Sequence, residues 1–313
     1  MLPVLLLVWT LLGLGSNPLA TDSPQLCPLT KDHFDYDPRG STVSSNWAAI
    51  SSCCSSPVRQ SPRDLDLSAI PTQYCSRPFS IQYHHSASQQ GLLYNNGHAP
   101  NIDITTAYPA FLTGVPYAPD DKYVLVGIHF HFSNGSIGGS EHSLNGSKFD
   151  GEMHLVHYKE KYGSMANAVL KEDGLAVIGA FLVKSLEQIE PPKRPLDLLL
   201  EYFISLTGFG KAGGVNVALD VRALLPDRLD FYTYAGSLTT PSCSESVRWM
   251  VLADPLAVNP SSLDILRLLP MGADDDRLIS LFSNVRDLQD NPQPVETNFP
   301  CWIQDVDSNP SSN

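Results

Sequence analysis

The chain is short of charge, and of positive charge above all. Lys and Arg number 20 against 33 Asp and Glu, charged residues make up 17% of 313, and the formal net charge is −13. That balance excludes a protein that wraps nucleic acid or lies on an anionic membrane, because both need clustered cations. There is no CxxC pair, which removes the common zinc-knuckle reading, and no HExxH, which removes the metallopeptidase that places two ligands on one helix. There is no internal repeat and no low-complexity block. Beyond the first twenty residues no apolar run is long enough to span a bilayer. Proline is plentiful: 25 residues, more than all the cations, in a chain that is 42% hydrophobic. Apolar content of that order supports a sizeable core, and frequent proline disfavours long helices.

The ends and the cysteines speak to compartment. Residues 2–15 read LPVLLLVWTLLGLG and lead into SNPLA. The run is too short for a span with margin and sits where a secretory leader belongs, so residues 1–20 are predicted to be a signal peptide cut near Ala20. The C-terminal QDVDSNPSSN is polar and carries no anchor signal. The cysteines, Cys27, Cys53, Cys54, Cys75, Cys243 and Cys301, are six in number, which suits disulfides in a secreted chain; their pairing is not fixed by counting. NGS sequons occur at Asn134 and Asn145, the predicted glycosylation sites, whereas Asn259 and Asn309 are followed by Pro and drop out. The expected location is extracellular.

Short β-rich runs dominate the middle of the chain: 79–83, 123–132, 152–158, 175–183 and 249–253. Helical periodicity is confined to 194–206, to 261–269 with Ser261 or Ser262 as N-cap and Pro270 as stop, and to a short piece at 164–170. No linker interrupts residues 30–290. The expected fold is mostly β (α+β), a single domain over 21–313 built on a large sheet with short peripheral helices.

Within YVLVGIHFHF (123–132), alternation turns His129 and His131 to one face, with Val126, Ile128, Phe130 and Phe132 to the other. Within GEMHLVHYK (151–159), Glu152, His154 and Val156 share a face. If the two runs are neighbours, three imidazoles converge, a ligand set that suits catalytic zinc with one position left open. Taken singly, each strand histidine reads equally as a buried, hydrogen-bonded core residue.

The stretch SEHSLNGSKFDGEMHLV (140–156), preceded by HFHF (129–132), resembles the α-class carbonic anhydrases. The likeness extends to RQSP (59–62), NNGHAPN (95–101), DGLAVIGAFL (173–182), LLPDRLDFYTYAGSLTTP (224–241) and CSESVRWMVL (243–252), covering roughly 33–286 and leaving a short C-terminal extension. It implies a mainly antiparallel central sheet and reversible, zinc-dependent hydration of CO₂ to bicarbonate and a proton by a zinc-bound hydroxide. It implies His129, His131 and His154 as Zn²⁺ ligands, with Glu152 fixing the tautomer of His154. It implies that Thr239 orients the attacking oxygen and donates to Glu141. His98 matches the proton-shuttle position, where a pKa near 6.5 suits proton exchange at neutral pH; Asn96, Asn101 and Tyr36 match its polar surroundings. Val156, Val177, Leu238, Val247 and Trp249, with Thr240, match the substrate pocket, whose apolar wall suits CO₂. His142 and His157 match buried structural positions, and His33, His84 and His85 read as exposed.

The likeness also implies a disulfide from Cys54 to Cys243, and Cys27–Cys301 with Cys53–Cys75 would complete the set. Two departures stand out. Gly127 occupies a position where the family commonly has a Gln supporting the first zinc ligand, and Phe132 replaces a Trp. The expected partners are small molecules: CO₂, bicarbonate and water. A competing reading is a secreted, inactive member of the fold that serves as a binding, storage or mineral-matrix protein, for which the acidic charge would be an asset.

Overall fold

The computed structural model describes residues 27–30, 34–37, 39, 44–84, 88–136, 138–185, 194–206, 213–272 and 275–301. The predicted signal peptide, His33 and His85 lie outside the described residues.

One sheet organises the chain. Nine of its strands are β1 (Gln89–Asn95), β2 (Pro100–Ile104), β3 (Tyr123–Phe132), β4 (Gly151–Lys159), β5 (Leu175–Lys184), β6 (Val215–Leu219), β7 (Phe231–Gly236), β8 (Val247–Leu252) and β9 (Glu296–Thr297). Their spatial order is β6-β1-β2-β3-β4-β5-β8-β7-β9, and the short strands Gln82–His84, Phe111–Thr113 and Leu256–Val258 bring the sheet to twelve. Neighbours are antiparallel except where β8 and Leu256–Val258 run parallel to β5. The mainly antiparallel sheet expected from sequence is therefore present. β5, LAVIGAFLVK, is apolar and buried through Leu182, the pattern of a strand covered on both faces.

Alternation divides the core into two layers. Ile128, Phe130 and Phe132 join Met153, Leu155, Ile178 and Met250 on the face covered by two helices, α2 (Pro195–Tyr202) and α3 (Pro260–Leu266). Val156, Val177, Phe181, Trp249 and Tyr234 make the other layer. Val126 departs from its expected face and packs with this second layer. The cause is a register irregularity between Leu125 and Gly127, which inserts a residue and resets the alternation.

The helices fall where expected, with corrected ends. α2 continues as a 3-10 turn over Phe203–Ser205, and the short helix α1 is Met165–Ala168, capped by Ser164. The N-cap of α3 lies two to three residues earlier than read from sequence, and the helix ends at Leu266 rather than running to 269. Its N-cap is Asn259, whose side chain accepts from Ser261 N at 3.0 Å, with Pro260 in the first helical position; Ser261 and Ser262 are inside the helix. Among the described residues no helix is long and apolar enough to cross a membrane.

Cys54–Cys243 forms as expected, but the other two pairings are Cys27–Cys53 and Cys75–Cys301. Backbone pairing explains the exchange. Thr30 N donates to Ile50 O at 2.8 Å, which lays the N-terminal segment beside Cys53. Ser76 N and Arg77 N donate to Phe299 O and Thr297 O at 3.0 and 2.7 Å, which brings Cys75 to the C-terminal segment.

Candidate metal centre

Register brings the histidines together. β3 and β4 are antiparallel with His129 opposite His154 and His131 opposite Glu152. His154 Nδ1 lies 3.2 Å from His129 Nε2, and donor atoms of His129, His131 and His154 all fall within 4.8 Å of one another. Tetrahedral zinc with Zn–N bonds of 2.0–2.1 Å needs nitrogens roughly 3.3–3.4 Å apart, which the His129–His154 separation approaches, with His131 near enough to complete the set.

Hydrogen bonds fix which nitrogen of His131 and His154 carries its proton. His131 Nδ1 donates to Asn284 O at 2.6 Å, leaving Nε2 as a lone pair, and that atom is buried without a hydrogen-bond partner. His154 Nε2 donates to Glu152 Oε1 at 2.8 Å, leaving Nδ1 as the lone pair. Burial holds the pKa of His129 well below its usual value, and the neighbouring imidazoles of His154 and His131 add to this; burial also lowers His131. Neutral rings with converging lone pairs are what a divalent cation requires. The orphaned Nε2 of His131, inexplicable in a core built only for packing, is the observation that favours a metal over the purely structural reading.

Glu152 is the hub beneath the rings. Its Oε1 accepts from His154 Nε2 and from His142 Nδ1 at 2.7 Å, and its Oε2 accepts from the backbone N–H groups of Glu141 and His142, both at 2.8 Å. Burial alone would raise its pKa, but the imidazoles of His142 and His154 hold it well below the carboxylate range, so it is an anion. Gly179 makes room for it: a Cβ there would sit 2.9 Å from Glu152 Oε1. The relay continues outward. His142 Nδ1 donates to Glu152, so its Nε2 accepts from the Tyr234 hydroxyl at 2.7 Å, which in turn accepts from Ser61 Oγ at 2.9 Å.

Glu141 is wholly buried. Its Oε1 accepts from Arg286 N at 2.9 Å, and its Oε2 stands 3.4 Å from His131 Nε2 with no hydrogen-bond partner. Thr239 is buried in the turn after β7, but no hydrogen bond joins it to Glu141 among the described residues, contrary to the relay that the resemblance implies. Thr240 follows, half-buried, and its carbonyl accepts from Cys243 N at 2.7 Å, which ties the turn to the Cys54–Cys243 bridge.

Val156, Val177, Val247 and Trp249 are buried in one cluster, with Leu238 packed against it, and the Trp249 ring lies 4.8 Å from that of His154. His98 is half-buried in the turn between β1 and β2, stacked on Phe34 at 4.1 Å. Its backbone N–H is held by Asn96 Oδ1 at 2.9 Å. Asn101 pairs with His129 across β2 and β3, and Tyr36 is buried beside Phe34. His142 and His157 are buried as expected. His84 is not exposed: it is half-buried, stacked on Phe111 and 2.8 Å from Thr113 Oγ1. Asn134 and Asn145 are both exposed.

Sequence reasoning missed Asn284. Fully buried, it takes the His131 Nδ1 proton on its carbonyl, accepts Phe132 N at 2.7 Å, and donates from Nδ2 to His98 O at 3.0 Å. It thus joins two of the candidate site segments. Nothing in SNVR marks an Asn whose partners are almost all backbone atoms.

Three imidazoles on adjacent antiparallel strands and a buried carboxylate fixing one of them make a tris-histidine cluster that could hold a metal ion, carried by a sheet. The profile of the eukaryotic-type carbonic anhydrases matches residues 42–299. The chain is 34% identical over 239 residues to carbonic anhydrase 1 of Mus musculus, covering 76% of this chain and 86% of that protein. It is 32% identical over 239 residues to carbonic anhydrase 1 of Oryctolagus cuniculus, with coverage of 76% and 96%. It is also 32% identical over 238 residues to carbonic anhydrase 3 of Bos taurus, with coverage of 76% and 86%. The chain belongs to the eukaryotic-type carbonic anhydrase family.

Proposed function

We propose that this chain is a secreted zinc enzyme that reversibly hydrates CO₂ to bicarbonate and a proton, and that its catalytic domain is the single unit that follows the leader. The observation that carries the reading is the convergence of His129 Nε2, His131 Nε2 and His154 Nδ1, with proton positions that leave the His131 and His154 nitrogens as lone pairs.

His129, His131 and His154 hold the metal, and Glu152 keeps His154 in its ligating tautomer. Zinc, when bound, supplies a Lewis acid that brings the pKa of a coordinated water near neutrality. Glu141 and Thr239 orient the attacking oxygen: Glu141 is an acceptor fixed by the Arg286 backbone N–H, and Thr239 supplies a buried hydroxyl. Val156, Val177, Leu238, Val247 and Trp249 offer CO₂ an apolar seat, with Thr240 at its edge, and keep competing water out. His98 takes the released proton and passes it to solvent.

The secreted reading rests on the leader-like residues 1–20, on three disulfides, and on the exposed sequons at Asn134 and Asn145, which we propose are glycosylated. Stopped-flow CO₂ hydration on the purified protein, with zinc content measured in parallel, tests the function. The expected result is one zinc per chain and hydration abolished by chelation. Stoichiometric zinc with no hydration would overturn the enzyme reading and leave a binding or matrix role.

A further inference from the structure

Arg248 is the one cation of an otherwise apolar strand, VRWMVL, and its second residue. Its neighbour Trp249 packs on His142 and His154, so alternation sends the Arg248 side chain off the opposite face of the sheet, away from the metal centre. There it lines a cavity of about 510 Å³ together with Arg59, Lys161, Tyr117 and Glu172.

Three cations, Arg59, Arg248 and Lys161, face two carboxylates in this cavity, Glu172 and Asp173, and Asp173 lies 3.5 Å from Lys161. Arg248 is half-buried, with its guanidinium stacked over the Tyr117 ring at 4.9 Å; among the described residues no carboxylate or carbonyl accepts from it. Arg59 forms a 2.5 Å ion pair through Nη1 with Glu172, but its Nε is buried with no acceptor. Both guanidiniums line the one cavity: burial lowers the Arg248 pKa, Tyr117 and Glu296 counter it, and the charge of Arg59 lowers it further. A buried Arg59 Nε without an acceptor, in the same cavity as the half-buried guanidinium of Arg248, is an unfavourable arrangement until an anion lies between the two cations. Glu172 is 58% exposed, so it can swing into solvent and release Arg59 at little cost.

We propose that this cavity is an oxyanion-binding site separate from the metal centre, in which Arg248 and Arg59 together grip a carboxylate, sulfate or phosphate group and Lys161 adds charge at the mouth. The planar fork of a guanidinium matches two oxygens of one such group, which a halide cannot supply.

The test is calorimetric titration of the zinc-loaded protein with sulfate, inorganic phosphate and acetate in separate arms, at constant ionic strength set by NaCl. Wild type should bind one equivalent in this cavity, and Arg248→Gln should weaken that binding roughly 10-fold or more, the loss expected for a pair of charge-assisted bonds. Arg248→Lys should fall between, and CO₂ hydration without added oxyanion should be unchanged in both. The arm that binds tightest separates a tetrahedral ligand from a planar one. In wild type, the Nε–H resonances of Arg59 and Arg248 should shift on titration, a readout that does not depend on either variant folding. Unmoved resonances, or equal affinities in wild type and Arg248→Gln, would overturn the proposal.

Discussion

His154 points one ring nitrogen at Glu152, 2.8 Å away, and the other at His129, 3.2 Å away. The first contact decides the second: with its proton committed to a carboxylate, the ring can present only a lone pair to its neighbour. The His154 lone pair, with a second on His131 Nε2, turns toward the same point as His129 Nε2, where a cation would satisfy all three. The carboxylate is costly in turn, being wholly buried, and persists because four donors converge on it.

That dependence makes Glu152 the natural place to weaken the centre without touching a ligand. Glu152→Gln keeps the shape but removes the charge and turns an N–H toward groups that donate. Zinc affinity should fall about 10–100-fold, the usual cost of losing such a partner. Competition with a chromophoric chelator measures it; affinity equal to wild type would show that His154 does not need the carboxylate.

Gly127 poses the opposite experiment. It lies on β3 two residues before His129, opposite Asp103 of β2. It offers no side chain to support that ring, and no acceptor for His129 Nδ1 is found among the described residues. Gly127→Gln should restore an acceptor and slow zinc loss. The new Cβ would sit 3.0 Å from Ile102 O, so a small decrease in stability should accompany the gain, about 1 kcal/mol by the usual cost of overfilling a packed site. Equilibrium dialysis of the two proteins decides the matter, and unchanged affinity would remove Gly127 as a weak point.

How much of this was written in the residues depends on which kind of order is asked for. Alternation in HFHF and GEMHLVH put the right side chains on one face, because a strand has only two faces. It could not say that His129 lies opposite His154, since register is set by the whole sheet; the resemblance carried that step. Val126 crossed to the other layer because a bulge is invisible to a period of two. Two of the three disulfides were mispaired, since Cys27 and Cys75 find their partners through backbone pairing of the terminal segments, which leaves no mark in cysteine spacing. Asn284 and Gly179, whose work is to bond with or make room for atoms remote in sequence, were equally silent.

His98 is the residue whose role is most easily isolated by kinetics. Its ring is half-buried and flat against Phe34, close enough to solvent to exchange a proton with buffer. His98→Ala should reduce turnover in dilute buffer and recover on addition of imidazole, which carries the proton in its place, while zinc content stays at one per chain. Equal turnover of variant and wild type in both buffers would take His98 out of the mechanism.

His157 should make the fold acid-sensitive independently of the metal. It is fully buried; its Nδ1 donates to Ala176 O and its Nε2 accepts from the Tyr83 hydroxyl, each at 3.2 Å, so only the neutral ring satisfies both partners. Burial lowers its pKa from 6.5 to about 3, against a weaker upward pull from the Ala176 and Leu155 backbone. Between these values the unfolded chain binds a proton that the folded chain refuses. The stabilisation is therefore complete above about pH 6.5 and is lost progressively as pH falls toward 3. In His157→Gln, which retains an acceptor for Tyr83, that contribution disappears. Urea unfolding from pH 7 to pH 4 should show wild-type stability falling more steeply than that of the variant; parallel curves would mean that His157 is already protonated in the folded protein or titrates alike in both states.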